Sequence, residues 1–93
     1  MSKLRKFARG KDCTLRLPCC NHDSETVVLA HLPSSSRGMG MKSPDWWAVF
    51  ACAACHDALD GRANKYHPDA EDVLRALHET QRQMIDEGLI VVK

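Results

Sequence analysis

The run Cys52-Ala53-Ala54-Cys55-His56-Asp57-Ala58-Leu59-Asp60 concentrates the residues able to do chemistry. Two thiols three positions apart can grip one metal ion from a tight turn. If a helix opens at the second thiol, His56 and Asp60 fall on one face, a turn apart. This segment then offers two donor sets. Its sulfurs suit a structural zinc, and its nitrogen and oxygen suit a second, open metal. The zinc needs two more ligands, and Cys13 with either Cys19 or Cys20 supplies them. Such a pairing ties both ends of a small domain together. His22 is a further possible ligand. A redox Cys-x-x-Cys would open a helix after a strand in a thioredoxin-like βαβ unit, and this chain lacks the length and pattern for one.

The five histidines separate by context. His22 sits in the turn cluster Asn21-His22-Asp23-Ser24, His67 precedes Pro68, and His78 follows Leu77 on an amphipathic segment. His31 closes an apolar run and His56 opens a helix beside the thiol knuckle, so these two are the candidates for chemistry. An imidazole that titrates near neutrality can accept a proton from water or ligate a metal.

The elements that must position these groups follow from local pattern. Residues 3–9 suit a short helical turn stopped by Gly10. Thr14 to Leu17 suits a brief extended piece ended by Pro18. The run Thr26-Val27-Val28-Leu29-Ala30-His31-Leu32 is β-branched and apolar and closes at Pro33, so a strand is predicted there. Residues 33–44 mix Pro, Ser, Gly, Met and Lys without periodicity, which predicts a loop able to contact substrate through Arg37 and Lys42. Ser43-Pro44-Asp45 resembles a helix start, yet Trp46 to Phe50 suits a second strand pairing with the first equally well. A helix is predicted over about 54–60 with Gly61 as its stop. A second is predicted over about 68–87, with Asp69, Glu71 and Asp72 at its positive end. Its expected apolar stripe is Ala70, Val73, Leu74, Leu77, Met84 and Ile85. Leu89 to Val92 reads as a terminal strand or an extended tail.

The 93 residues allow one domain with a modest core, a size at which a metal staple is common. The formal net charge of +1 hides an asymmetry. Residues 1–50 hold eight Lys/Arg against four Asp/Glu, whereas residues 51–93 hold five against eight. A basic arm through Lys3, Arg5, Lys6, Arg9, Lys11 and Arg16, opposed only by Asp12, points to a polyanion such as nucleic acid, the other reading being a solvated N-terminus. The longest apolar run, Trp46 to Cys55, is too short to span a bilayer, and no charged leader precedes an apolar segment. No membrane partner and a cytoplasmic location are therefore expected, where cysteines serve metals before disulfides.

Taken together, these parts resemble the HNH, or ββα-metal, nucleases. That layout is a cysteine pair, a strand carrying a histidine, a glycine-bearing loop, and Cys-x-x-Cys-His opening a helix. Here the parts are Cys13 and Cys20, Leu29-Ala30-His31, Gly38 and Gly40, and Cys52 to His56. More closely, the chain resembles the small prophage-encoded nucleases of the YbcO family, through its Leu-Ala-His element and its Cys-x-x-Cys-His-Asp run with an aspartate four beyond the histidine. The likeness covers about residues 9–61, and the C-terminal helix less specifically.

The resemblance implies an α+β, zinc-stapled ββα-metal (HNH/His-Me finger) domain with an added C-terminal helix, residues 1–93 forming one domain. It implies a metal-dependent endonuclease hydrolysing DNA phosphodiester bonds, of phage or prophage origin. In its register Cys20, eleven residues before His31, fits the zinc better than Cys19, giving Cys13, Cys20, Cys52 and Cys55. His31 is the implied general base. His56 and Asp60 are implied to hold Mg²⁺ or another divalent ion, and Arg5, Lys6, Arg9, Arg37 and Lys42 to meet DNA phosphates. Ala30 stands where many HNH strands carry a metal-binding aspartate, and Asp45 is the nearest polar candidate for the middle asparagine. The alternative function is a non-catalytic zinc module that binds nucleic acid or a protein partner.

Overall fold

The computed structural model describes residues 3–33, 43–61 and 67–91. Helix α1 (Lys3–Ala8) is followed by strands β1 (Val28–His31) and β2 (Ala48–Ala51), then helices α2 (Ala53–Leu59) and α3 (Ala70–Asp86). The arrangement is a small mixed α+β one, as the sequence reading expects. None of the described helices is long and apolar enough to cross a membrane.

The two strands pair antiparallel, with Val28 opposite Ala51, Leu29 opposite Phe50, Ala30 opposite Val49 and His31 opposite Ala48. The segment whose sequence suits either a helix or a strand is thus a strand. Ser43 caps no helix. Its hydroxyl donates to the Leu32 carbonyl. The Trp47 N–H closes a turn on the Pro44 carbonyl at 3.0 Å, and the Leu32 N–H reaches the Trp47 carbonyl at 3.0 Å. Pairing with β1 satisfies the backbone of this wholly apolar segment while every residue of β2 is buried. The expected strand is shorter than its apolar run, because Ser24–Thr26 forms a 3₁₀ turn capped by the Asp23 carboxylate.

The outer edge of β2 is closed without a third strand. The Phe50 N–H donates to Thr80 Oγ1 at 3.1 Å. Its carbonyl accepts the Thr14 N–H at 2.8 Å and the Thr14 hydroxyl at 3.0 Å. The two threonine oxygens lie 3.0 Å apart. Since each hydroxyl carries one proton, the set closes if Thr80 donates to Thr14. The extended piece expected at Thr14 to Leu17 is therefore an irregular edge cover, with Arg16 at φ 46°, and not a strand.

Helix α3 begins at a capping box between Asp69 and Asp72. Its buried face is Ala76, Leu77, Thr80 and Met84, with Val73 packed beside it. This corrects the expected stripe. Leu74 is 63% exposed and Ile85 42%, because the face is rotated toward Thr80, which the β2 edge requires. Leu89 and Ile90 do not form a strand. Their N–H groups fold back onto the Met84 carbonyl after Gly88 at φ 73°. Phe50, Leu15, Met84, Val27 and Val49 are the largest fully buried side chains besides Thr80 and the cysteines. The Phe7 ring meets Phe50 edge-on at 5.9 Å, which seats α1 on the core.

Candidate active site and metal centre

Helix α2 begins one residue earlier than the sequence suggests, because Cys52 is its N-cap and its sulfur accepts the Cys55 N–H at 3.4 Å. That places Cys55 and His56 next to each other early in α2, with Cys55 buried and His56 half-buried. The loop from Cys13 to Cys20 returns to this point through a turn closed by the Cys20 N–H on the Leu17 carbonyl at 2.8 Å. Sγ atoms of Cys13, Cys20, Cys52 and Cys55 all lie within 4.8 Å of one another, a group that could hold a metal ion.

The Cys20 and Cys52 sulfurs are 3.7 Å apart. A tetrahedral zinc with bonds of about 2.3 Å spaces its sulfurs by roughly 3.8 Å, so the donor set fits such an ion. A disulfide would need about 2.0 Å, and all five cysteines are free thiols. Cys19 is outside the group, its thiol directed to the Ala54 carbonyl at 3.8 Å. His22 is exposed at φ 56° and is likewise outside.

Burial sets the electrostatics of the thiols. It pushes Cys55 far above the usual thiol range and raises Cys20 as well. Burial also opposes ionisation of Cys52, but donation from the backbone N–H groups of Cys55 and Asn21, together with the thiols of Cys55 and Cys20, brings that thiol down to about 7. Four sulfurs packed this closely cannot all ionise without a cation among them.

On the other side of α2, the His56 Nε2 lies 3.2 Å from Asp60 Oδ2. His31, at the end of β1, has its Nε2 2.6 Å from Asp45 Oδ1. Arg5 Nε stands 3.5 Å from that same oxygen. Both histidines line one cleft of about 810 Å³. Arg5, Arg9 and Glu25 complete its polar lining, over an apolar floor of Val27, Val28 and Leu29. Asp60 is not on that lining, although it touches a residue that is.

Of the basic residues expected to meet DNA, Arg5 and Arg9 face the cleft. Lys6 is exposed on α1 and does not line it. Arg37 and Lys42, with Gly38 and Gly40, lie outside the described residues. Arg16 is engaged elsewhere, in a two-pronged pair with Glu79 at 2.7 and 2.8 Å. His67 and His78 are exposed and apart from both sites.

The sequence reading underweights Asp45 and misses Glu25. Asp45 carries a signal once the strands are paired. With His31 opposite Ala48, the residues just before β2 must pass the end of β1. Glu25 carries none, since its place depends on the 3₁₀ turn that precedes β1.

Comparison with known proteins bears on this geometry. Residues 2–88 match the family model described as "Putative nuclease YbcO". A protein of Escherichia coli K12 named "Putative nuclease YbcO" is 43% identical over 96 residues, covering 97% of this chain and 98% of the relative. A protein of Enterobacteria phage 82 bearing the same name matches to the same extent. A solved structure described as that of "a putative bacteriophage protein" from E. coli K-12 superposes with a TM-score of 0.71 at 38% identity, covering 92% of this chain and all of that one. The chain belongs to the YbcO family.

Proposed function

We propose that this protein is a metal-dependent endonuclease of phage or prophage origin that hydrolyses DNA phosphodiester bonds. The observation that carries the reading is the shared cleft, in which His31 and His56 meet two arginines. The names of the relatives from E. coli and from a phage support it. The succession β1, β2, α2, with a histidine ending the first strand and another in the first helical turn, supports a ββα-metal domain.

A phosphodiester resists water because the nucleophile is weak and the phosphate is shielded by its own charge. His31 acts as the general base that takes a proton from the attacking water. His56, with Asp60 beside it, offers one imidazole and one carboxylate to a divalent ion such as Mg²⁺. This mixed set leaves positions open for water and phosphate oxygen, as such ions favour. When bound, the ion neutralises a phosphate oxygen and the developing alkoxide. Arg5 and Arg9 hold the flanking backbone, a contact that reads charge and not sequence. The four cysteines hold a structural zinc that fixes the start of α2, so His56 is carried on a rigid turn. Incubation of supercoiled plasmid with the purified chain and Mg²⁺ or Mn²⁺ should nick or linearise it, and EDTA should stop the reaction. A chain inert with every ion and DNA form would leave the non-catalytic zinc module.

A further inference from the structure

We propose that Asp45 is the positioning residue of the His31 base, fixing which ring nitrogen receives the proton. The inference rests on the nuclease reading for its consequence, though the geometry stands independently of it. The Nε2 of His31 and the Asp45 Oδ1 are 2.6 Å apart, and both side chains are half-buried. A carboxylate only accepts hydrogen bonds. In the neutral ring the proton therefore sits on Nε2, and the lone pair is on Nδ1. That assigns Nδ1 as the atom that accepts the proton from water.

The contact is built by the fold rather than by local helix geometry. His31 and Asp45 are fourteen residues apart. They are brought together by the pairing of His31 with Ala48, by the Leu32 N–H on the Trp47 carbonyl, and by the turn from Pro44 to Trp47. The His56–Asp60 contact, by contrast, joins neighbours on one helical turn and is longer, at 3.2 Å. Arg5 Nε lies 3.5 Å from the same Asp45 oxygen and faces the cleft, so it both steadies the carboxylate and stands where a phosphate would lie.

In the step this implies, a water O–H bond breaks and its proton binds Nδ1. The hydroxide oxygen bonds to phosphorus, and the bond to the leaving oxygen breaks. Solvent water supplies the proton that the leaving oxygen takes up. His31 is then an imidazolium with both nitrogens protonated, held by its contact with the Asp45 carboxylate. It returns its extra proton to solvent.

The test uses the full, zinc-loaded chain. Long-range ¹H–¹⁵N spectra of the histidine side chains should show His31 as the Nε2–H form. Asp45→Ala should leave a mixture of forms, lower kcat on plasmid DNA on the order of 100-fold, and leave KM and zinc content near wild type. Asp45→Asn, nearly the same shape, guards against misfolding. Its amide can accept from Nε2 through the oxygen or donate to it through the nitrogen, so the Nε2–H form should no longer be enforced and kcat should fall while fold and zinc content stay near wild type. A wild-type His31 carrying its proton on Nδ1 would overturn the proposal, as would Asp45→Ala cutting at the wild-type rate. A wild-type chain that never cuts DNA would overturn the nuclease reading instead, and the tautomer spectra would still decide whether Asp45 positions His31.

Discussion

The sulfur atoms of Cys20 and Cys52 stand 3.7 Å apart although 32 positions separate them in the chain. Cys13 and Cys55 complete the group. Purified without chelator, the protein should carry one zinc per chain by elemental analysis. Cys52→Ser and Cys20→Ser should lose it and unfold, while Cys19→Ser should keep it. Burial holds Cys20 and Cys55 protonated in the metal-free chain, so zinc binding at neutral pH must displace protons, and affinity must fall as pH falls. Zinc titration in weak buffer should therefore release protons. Full zinc content in Cys20→Ser would contradict this.

Thr80 is buried on α3 with its oxygen on the Phe50 N–H. Replacing it with valine keeps the shape and removes the acceptor. An unsatisfied buried N–H costs about 1–3 kcal/mol, so Thr80→Val should lower the urea midpoint by that equivalent, and Thr80→Ser should lower it less. Equal midpoints for valine and wild type would show that the β2 edge does not depend on this hydroxyl.

Arg16 grips Glu79 with both guanidinium nitrogens, and Arg75 joins them while donating to the Thr14 and Leu15 carbonyls. The hydrogen bond from Arg16 holds the Glu79 carboxyl below the usual carboxylate range. A depressed folded value means that the pair stabilises the fold above that range and ceases to do so as pH falls through the depressed value. The groups are partly exposed, so Glu79→Gln should cost only about 0.5–1 kcal/mol at neutral pH. Denaturation curves of the two proteins should converge in acid. A gap that widened in acid would be inconsistent with this pairing.

Arg9 faces the cleft, whereas Arg5 is paired with Asp45, so Arg9 is the cleaner probe of phosphate binding. DNA affinity should drop steeply with salt and vary little with sequence. Arg9→Ala should weaken binding and reduce the slope of log affinity against log salt by about one. A slope unchanged by Arg9→Ala, or an affinity indifferent to salt, would remove the cleft as the DNA site.

Spacing made the metal knuckles, the strand ending at His31 and both long-range helices legible in the sequence, because each has a local cause. The choice between strand and helix for residues 46–50 was not legible, since an all-apolar segment has no periodicity and only its partner decides. The inward face of α3 was misread for a related reason. Periodicity counts apolar residues, yet the position the fold needs there is a hydroxyl, Thr80, which closes a backbone edge formed far away in the chain. Asp45 stood out only as the polar residue nearest the place of the middle asparagine, and its partner became evident only once β1 and β2 were in register.

His31 and His56 line the same cleft, and whether they serve one hydrolytic site is decided by plasmid cleavage with Mg²⁺ or Mn²⁺, measured for wild type, His31→Ala and His56→Ala at matched zinc content. Wild type should cut, His31→Ala should abolish cutting without loss of zinc or fold, and His56→Ala should abolish it and also weaken binding of the second metal. A His31→Ala protein that cuts DNA at the wild-type rate would contradict a shared site.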